Sequence, residues 1–193
     1  MDILDITCVI FAGGKSSRMG EDKSLLPFGS FDTLTEFQLY RTKQIFKRVY
    51  ISTKTRDKFH FDGDFIIDEG EAFAPTAGFV SIFNHIDDER FLALSVDTPF
   101  IDYHIFKKLI DNDDGSYDAT IAKSPNGTHP LCGIYHRSLE SDFIEMLKQD
   151  NHRLGKLLSS KNSHFVEFDS DDAFLNLNNP DEYKKAIEVY LNA

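Results

Sequence analysis

The chain has 193 residues, 41% hydrophobic and 27% charged, which is typical of a globular protein. Its 21 basic and 32 acidic residues give a net charge of −11, which argues against broad binding to nucleic acid or to membrane surfaces. This length fits one domain spanning residues 1–193, and no apolar run is long enough to cross a bilayer.

The start of the chain and its cysteines bear on the compartment. Met1 to Asp5 lacks the positive and apolar regions of a signal peptide. Cys8 and Cys132 lie in apolar, strand-like runs, and two cysteines are too few for a metal site. We therefore expect buried, reduced thiols, a cytoplasmic protein and no membrane partner.

Strand-like and helix-like segments alternate along the chain. Apolar runs predict six strands, at 6–11, 49–53, 65–67, 91–96, 119–122 and 131–135. Helical periodicity predicts five helices, at 33–46, 77–87, 102–112, 138–149 and 180–191. Asn179 is the expected N-cap of the last helix, and Pro180 its first residue. This order predicts a single-domain, Rossmann-like α/β sandwich of three layers with a mostly parallel sheet, in which ligands bind beyond the carboxyl ends of strands.

The loop after the first strand suits a polyphosphate. Residues 11–23 read Phe-Ala-Gly-Gly-Lys-Ser-Ser-Arg-Met-Gly-Glu-Asp-Lys, so small residues expose backbone N–H groups among the cations Lys15, Arg18 and Lys23. The loop is not a Walker A motif, because acidic residues follow Gly20 where Lys-Ser/Thr is required. It also contains no Gly-x-Gly-x-x-Gly fingerprint.

This segment resembles the N-terminal signature of the molybdenum cofactor nucleotidyltransferases, the MobA-like NTP transferases, written roughly Leu-Ala-Gly-Gly-x-Ser-x-Arg-Met-Gly-x-Asp-Lys. Only the leading Leu differs, since Phe11 stands there. The resemblance implies a sheet like that of the nucleotide-diphospho-sugar transferases. It also implies a set of nucleotide-binding residues: Phe11, Ala12, Gly13, Gly14, Lys23, Ser52, Asp68 and Asp97.

Asp97 directly follows the strand predicted at 91–96. A carboxylate at the end of a buried strand can hold Mg²⁺ against phosphate oxygens, or it can cap the turn or the helix that follows. The resemblance implies the first role, with Asp97 as the metal ligand and Mg²⁺ as the cofactor.

Asp68 follows the strand at 65–67, and the resemblance places it against the guanosine part of a nucleotide. A carboxylate can accept the paired N–H donors of guanine, although Asp68 can also bond the ribose or be a turn residue. Ala74 and Thr76 stand in the next loop where the family has Gly and Leu. Ser52 corresponds to a polar family residue that reaches the nucleotide, or it is a strand-end cap.

The second half of the chain carries candidates for binding a pterin substrate. The resemblance implies that Arg153, and with it Lys156, faces the pterin, whereas the alternative is a solvated helix end. Residues 174–180 resemble the family's C-terminal Phe-x-Asn-x-Asn-x-Pro, which implies that Asn176 and Asn178 bind the pterin ring. Alternation puts the two amides on one side of an extended segment, and the alternative is that they are turn and cap residues. His129-Pro130 resembles a family motif, and His129 is either structural or part of the acceptor pocket.

The resemblance implies a nucleotidyltransferase that moves GMP from GTP to the phosphate of molybdenum-molybdopterin, with Arg18, Lys23 and Asp97 as catalytic residues. Cofactor-delivery proteins and recipient molybdoenzymes would be its partners. The Gly13-Gly14 pair favours guanine over the cytidylyltransferase branch, whose loop generally reads Ala-Ala-Gly. Three competing functions stay open: this cytidylyltransferase, a sugar-1-phosphate nucleotidylyltransferase, and a catalytically silent protein that binds a nucleotide or a cofactor.

Overall fold

The computed structural model describes residues 2–13, 20–69 and 74–192. Seven strands lie in these ranges: β1 (Leu4–Phe11), β2 (Phe46–Thr53), β3 (Asp64–Ile67), β4 (Arg90–Ser95), β5 (Ala119–Ser124), β6 (Gly127–His136) and β7 (Ser163–Glu167). The α-helices there are α1 (Leu34–Lys43), α2 (Pro75–His85), α3 (Tyr103–Asp111), α4 (Glu140–Lys148), α5 (Leu154–Ser160) and α6 (Pro180–Leu191). Short 3-10 turns occupy Lys23–Leu25, Arg137–Leu139 and Asp172–Phe174.

The strands form one sheet in the order β3-β2-β1-β4-β6-β5-β7. Strand β6 runs antiparallel to both of its neighbours, and the other neighbouring pairs are parallel. Strand β1 pairs with β2 on one side and with β4 on the other, so the order of the strands reverses there. Such a switch point opens a crevice beyond the carboxyl ends of β1 and β4. The predicted α/β fold with a mostly parallel sheet is confirmed.

Helices cover both faces of the sheet. Helices α1, α3 and α6 pack on one face, and α2, α4 and α5 pack on the other. Residues Phe91 to Leu94 of β4 are fully buried, as a continuous apolar run predicts. Phenylalanine supplies most of the largest fully buried side chains, which are Tyr135, Phe28, Phe59, Phe79, Phe91, Phe106 and Phe143.

The sequence prediction lacked two elements. Strand β7 lies at an edge of the sheet and pairs with β5 alone, and its residues Ser163 to Phe165 are only half-buried, so its apolar pattern is weak. Helix α5 has seven residues, too few to show a helical period. Strand β6 also begins at Gly127, four residues earlier than predicted, because polar residues form its first part.

Both cysteines, Cys8 and Cys132, are free and buried, as expected. Burial raises the pKa of the Cys132 thiol to about 12, and it raises the pKa of Cys8 further still. Both thiols are therefore protonated at neutral pH. Within the described ranges, no helix combines the length and the apolar character needed to cross a membrane.

Gly78 lets α2 approach the sheet closely. A Cβ atom at this position would lie 2.8 Å from Ser52 Oγ and 3.0 Å from Phe11 Cε1. We expect Gly78→Ala to lower the Tm by roughly 3–10 °C, since overpacking costs about 1–3 kcal/mol. Calorimetry of the purified variant measures this change.

Gly155 in α5 provides the matched control, because no heavy atom outside its chain neighbours and its own helix lies within 4 Å of a Cβ there. Gly155→Ala should keep or raise the Tm, since alanine favours the helix. Equal changes in the two variants would refute a steric role for Gly78.

Candidate functional site

A groove runs along the carboxyl edge of the sheet, beside the switch point. Its first section is lined by residues that include Gly13, Lys23 and Asp97. The next section shares Asp97 with the first and extends past His129 to Asn176. Both His129 and Asn176 also line a third section. The sections adjoin one another through these shared residues, and the groove is the row that they form, with Asp97 between its two ends.

A lysine, a carboxylate and an amide meet in this groove. Lys23 begins the first 3-10 turn, Asp97 follows β4, and Asn178 precedes α6. Lys23 Nζ donates to Asp97 Oδ2 and to Asn178 Oδ1, both at 2.9 Å. Ser95 Oγ donates to Asp97 Oδ1 at 2.6 Å, so both carboxylate oxygens have partners. Lys23 thus contacts two other sequence candidates, although the three residues come from distant parts of the chain.

Asp97 does not cap α3, because Asp102 accepts the backbone N–H groups of His104 and Ile105 at that helix start. Among the described residues, no group of three or more His, Cys, Asp or Glu side chains forms a metal site by itself. A single carboxylate in an open groove still suits Mg²⁺, which takes one or two carboxylates and completes its shell with substrate phosphate oxygens. Asp97 can supply the carboxylate of such a shared site once the Lys23 ammonium leaves Oδ2.

Asp68 lies behind Gly13. Ser52 Oγ donates to Asp68 Oδ1 at 2.6 Å, and both residues are buried. Ser52 therefore orients the carboxylate, and its contact with a nucleotide stays a prediction. Asp68 Oδ2 faces Gly13, where a Cβ atom would lie 3.0 Å from it. Burial raises the pKa of Asp68, more than the hydrogen bond from Ser52 and the charges of Lys54 and Lys58 lower it.

Lys58, in the segment between β2 and β3, is a site residue that the sequence reasoning missed. Its Nζ donates to Asp22 Oδ2 at 2.7 Å, to Ser24 Oγ at 3.0 Å and to the Ala12 carbonyl at 3.4 Å. Burial acts to raise the pKa of Asp22, but the hydrogen bonds from Lys58 and Ser24 outweigh it, and the pKa is lowered. No motif surrounds Lys58 in the sequence, so no signal was available.

Of the candidates for the second substrate, the two asparagines line the far part of the groove and the two basic residues are not among its lining residues. Asn176 and Asn178 line one section of it together, as alternation predicted. Arg153 and Lys156 are exposed, and Arg153 occupies the N-cap position of α5 rather than the end of α4. His152 Nδ1 lies 2.5 Å from Thr76 Oγ1, which ties this loop to α2. Thr76, which stands where the family has Leu, thus contacts the loop that carries Arg153.

Two sequence candidates, Gly14 and Arg18, lie outside the described residues, and the sequence prediction stands alone for them. Of the remaining nucleotide candidates, Phe11 ends β1 and Ala12 follows it, and both line the first section of the groove. Ala12 N–H donates to the Ser52 carbonyl at 2.9 Å, which extends the β1–β2 ladder to the edge of the groove.

The fold is shared with proteins of known structure. The crystal structure of molybdopterin-guanine dinucleotide biosynthesis protein A from Archaeoglobus fulgidus superposes with a TM-score of 0.84, at 19% identity, over 97% of this chain and 100% of that one. At this identity the match defines the class of fold alone, a single α/β domain with a mostly parallel sheet.

Residues 8–165 match the model of the MobA-like NTP transferase domain. A molybdenum cofactor guanylyltransferase of Campylobacter jejuni subsp. doylei is 41% identical over 187 residues, 96% of this chain and 97% of that protein. One of Helicobacter pylori is 32% identical over 96% of this chain and 93% of that protein. The chain therefore belongs to the MobA-like NTP transferase family and is a nucleotidyltransferase, as the signature predicted.

The raised pKa of Asp68 makes a prediction about stability. The pKa of Asp68 is higher in the folded protein than in the unfolded chain, so the unfolded chain loses the Asp68 proton at a lower pH. Asp68 therefore lowers the stability of the fold as the pH rises from the unfolded pKa through the folded pKa. We expect Asp68→Asn, which still accepts from Ser52, to raise the Tm by a few degrees at pH 7. The gain should disappear as the pH falls below about 3.9, the unfolded pKa of aspartate.

Thermal unfolding followed by circular dichroism across this pH range measures the effect. Asp64→Asn is the control, because Asp64 is exposed on β3. A pH-independent gain, or the same gain in both variants, would contradict the burial of an unfavourable charge at Asp68.

Proposed function

We propose that the protein transfers the GMP group of GTP to the phosphate of molybdenum-loaded molybdopterin, which releases pyrophosphate and forms a molybdopterin guanine dinucleotide cofactor. The observation that carries this proposal is the position of Asp97 between the two ends of one groove. Gly13 lies towards one end, with Asp68 behind it, and Asn176 lies towards the other. The names of the Campylobacter and Helicobacter relatives support the same reaction.

The base of the nucleotide is proposed to lie against Asp68. Ser52 holds Oδ1, while Oδ2 faces Gly13, which has no side chain to stand between this oxygen and the groove. Guanine presents two adjacent N–H donors, N1–H and N2–H, to a carboxylate, whereas cytosine has a single amino donor on the corresponding edge. The paired donors favour GTP over CTP.

The chemistry is a displacement at the α-phosphorus of GTP. An oxygen of the acceptor phosphate forms a bond to this phosphorus, and the bond to the pyrophosphate oxygen breaks. The attacking phosphate is already anionic, so positioning and charge stabilisation suffice without a general base. Lys23, together with Arg18 of the signature loop, would offset the charge that develops on the α-phosphate and on pyrophosphate.

Asp97 would hold Mg²⁺, which supplies positive charge beside the phosphate oxygens. Lys23 then exchanges its contact with Asp97 Oδ2 for a phosphate oxygen. Ser95 keeps Asp97 Oδ1 in place through its hydrogen bond. Lys23, Ser95 and Asp97 line the same section of the groove, where the reacting phosphate is proposed to lie.

The acceptor is proposed to occupy the far part of the groove. Asn176 and Asn178 would bond its pterin ring, and the exposed Arg153 would attract its phosphate at the rim. A cytoplasmic location, delivery proteins that bring the loaded pterin and molybdoenzymes that receive the product belong to the same proposal.

Pyrophosphate release with Mg²⁺ and molybdenum-loaded molybdopterin, compared between GTP and CTP, tests the function. We expect release with GTP and at least tenfold less with CTP, because one lost hydrogen bond to a charged group is worth about 1.5–3 kcal/mol. Release with CTP alone would keep the family and overturn the choice of base. No release with either nucleotide from folded protein would overturn the proposed reaction.

Lys23→Ala should lower turnover by about 10²-fold or more, the scale of a lost donor to a transition state. Lys47→Ala is the control, because Lys47 is an exposed lysine paired with Asp5 away from the groove. Turnover that is equal in the two variants would remove Lys23 from the mechanism.

Asp97→Asn should abolish activity at every Mg²⁺ concentration while the protein stays folded, because the amide oxygen still accepts a hydrogen bond but binds Mg²⁺ poorly. Activity is followed against Mg²⁺ concentration, and circular dichroism checks the fold. An unchanged Mg²⁺ dependence would move the metal site away from Asp97.

A further inference from the structure

His129 lies in an irregular part of the sheet, at the groove. Gly133 of β6 pairs with Ile121 of β5, but the next pairing joins His129 to Ala122, so residues 130–132 bulge away from β5. The Tyr135 hydroxyl donates to the Pro130 carbonyl at 2.6 Å and holds this bulge. Bulges next to active sites serve to redirect side chains. Here the bulge places His129 on two sections of the groove.

Two contacts hold the imidazole ring of His129, one on its face and one at a ring nitrogen. It stacks on Phe174 with ring centroids 4.2 Å apart and 16° between the planes. Its Nε2 atom lies 2.7 Å from Ser124 Oγ, and Ser124 is buried. The ring orientation is thus fixed by residues from β5 and from the 3-10 turn before Asn176.

The partner of Ser124 determines which ring nitrogen carries the proton. Ser124 Oγ also contacts Asp171 Oδ1, which accepts the Asn126 N–H at 3.0 Å as well. A carboxylate only accepts hydrogen bonds, so the Ser124 hydroxyl proton points to Asp171. Ser124 Oγ must then accept from His129, which places a proton on Nε2. Burial lowers the pKa of His129, although Asp171 acts to raise it, so the ring is neutral at pH 7.

In this tautomer Nδ1 carries a lone pair. The His129 ring is half-buried and lines two sections of the groove, and its one polar contact among the described residues is at Nε2, which leaves Nδ1 without a protein partner there. A neutral imidazole nitrogen without a proton accepts a hydrogen bond and donates none. The hydrogen bonds that link Asp171, Ser124 and His129 therefore leave Nδ1 of His129 as a hydrogen-bond acceptor in the wall of the groove.

We propose that His129 is a specificity-determining residue for the acceptor, in which Nδ1 accepts a hydrogen bond from an N–H donor on the edge of a fused heterocycle such as a pterin. The proposal rests on the proposed function, since that reaction supplies a pterin acceptor. Asn176, which lines the same two sections of the groove, offers an amide beside it. A pterin has ring N–H and amino donors for both residues.

Nitrogen-15 NMR of histidine-labelled protein tests the tautomer independently of any activity. The signals of His129 are those lost in His129→Phe, a variant that keeps a flat ring on Phe174. We expect a neutral Nε2–H tautomer near pH 7, and a mixture of tautomers in Ser124→Ala. A protonated Nδ1 in the wild-type protein would overturn the proposal.

Titration with a soluble pterin, pterin-6-carboxylate, tests the ligand without catalysis. The His129 Nδ1 signal should shift towards that of a hydrogen-bonded nitrogen, while the signals of His85 at the opposite edge should stay in place. Saturation with the pterin and no shift at Nδ1 would overturn the proposed contact.

Kinetics then separate this inference from the proposed function. His129→Phe should raise the KM for molybdenum-loaded molybdopterin about 3- to 10-fold, the effect of one hydrogen bond, with kcat and the KM for GTP unchanged. His85→Phe is the matched control, because it keeps the ring contact with Tyr50. If the wild-type enzyme is active and the two variants have equal KM values, the proposed role of His129 is wrong but the proposed reaction stands. Inactive wild-type enzyme would overturn the reaction and leave the NMR results to decide the contact.

Discussion

Lys23 Nζ joins three segments that are far apart in the chain, since it donates to Asp97 after β4 and to Asn178 before α6. The side chains of Lys23 and Asp97 are 15% and 17% exposed, so the pair is shielded but reached by water. Ion pairs of this kind contribute little net stability, because desolvation offsets much of their attraction. The contact matters for the site instead, because it holds a cation and a carboxylate side by side in the groove.

The backbone that carries Asp97 is held from the opposite side by α1. Gln38 Nε2 donates to the carbonyls of Ser95, Val96 and Thr98, at 3.3, 3.2 and 3.1 Å. The Asp97 carbonyl accepts the Leu177 N–H at 3.0 Å. Gln38 Oε1 is buried without a hydrogen-bond partner among the described residues, which is costly for a polar atom. Such a cost is expected where a buried side chain serves to position a functional residue rather than to stabilise the fold.

Local sequence patterns predicted the parts of this molecule that depend on local physics. The continuous apolar run of β4 and the Asn179-Pro180 start of α6 needed no tertiary information. Asp97 was predictable because its position after a buried strand already implies the carboxyl edge of the sheet. Lys58 and Ser124 were not predictable, because their roles depend on contacts with residues that are separated from them by 34 to 47 positions in the sequence. The bulge at Pro130 was also hidden, because it is defined by pairing between two strands.

A chain of net charge −11 needs local positive charge to bind a polyphosphate, and the groove supplies only part of it. Lys23 is paired with Asp97, and Lys58 with Asp22, so these two lysines bring no surplus of positive charge to the groove. A nucleoside triphosphate would therefore need additional positive charge. The signature loop contributes Lys15 and Arg18 by sequence, and a divalent cation on Asp97 would both add charge and free Lys23 for the substrate. Pairing before the substrate binds also limits the cost of burying these lysines, since neither ammonium group has to be desolvated alone. Asp97 and Asp22 therefore contribute to anion binding as the lysines do. They hold the lysine ammonium groups in place until phosphate oxygens take over as the partners of those groups.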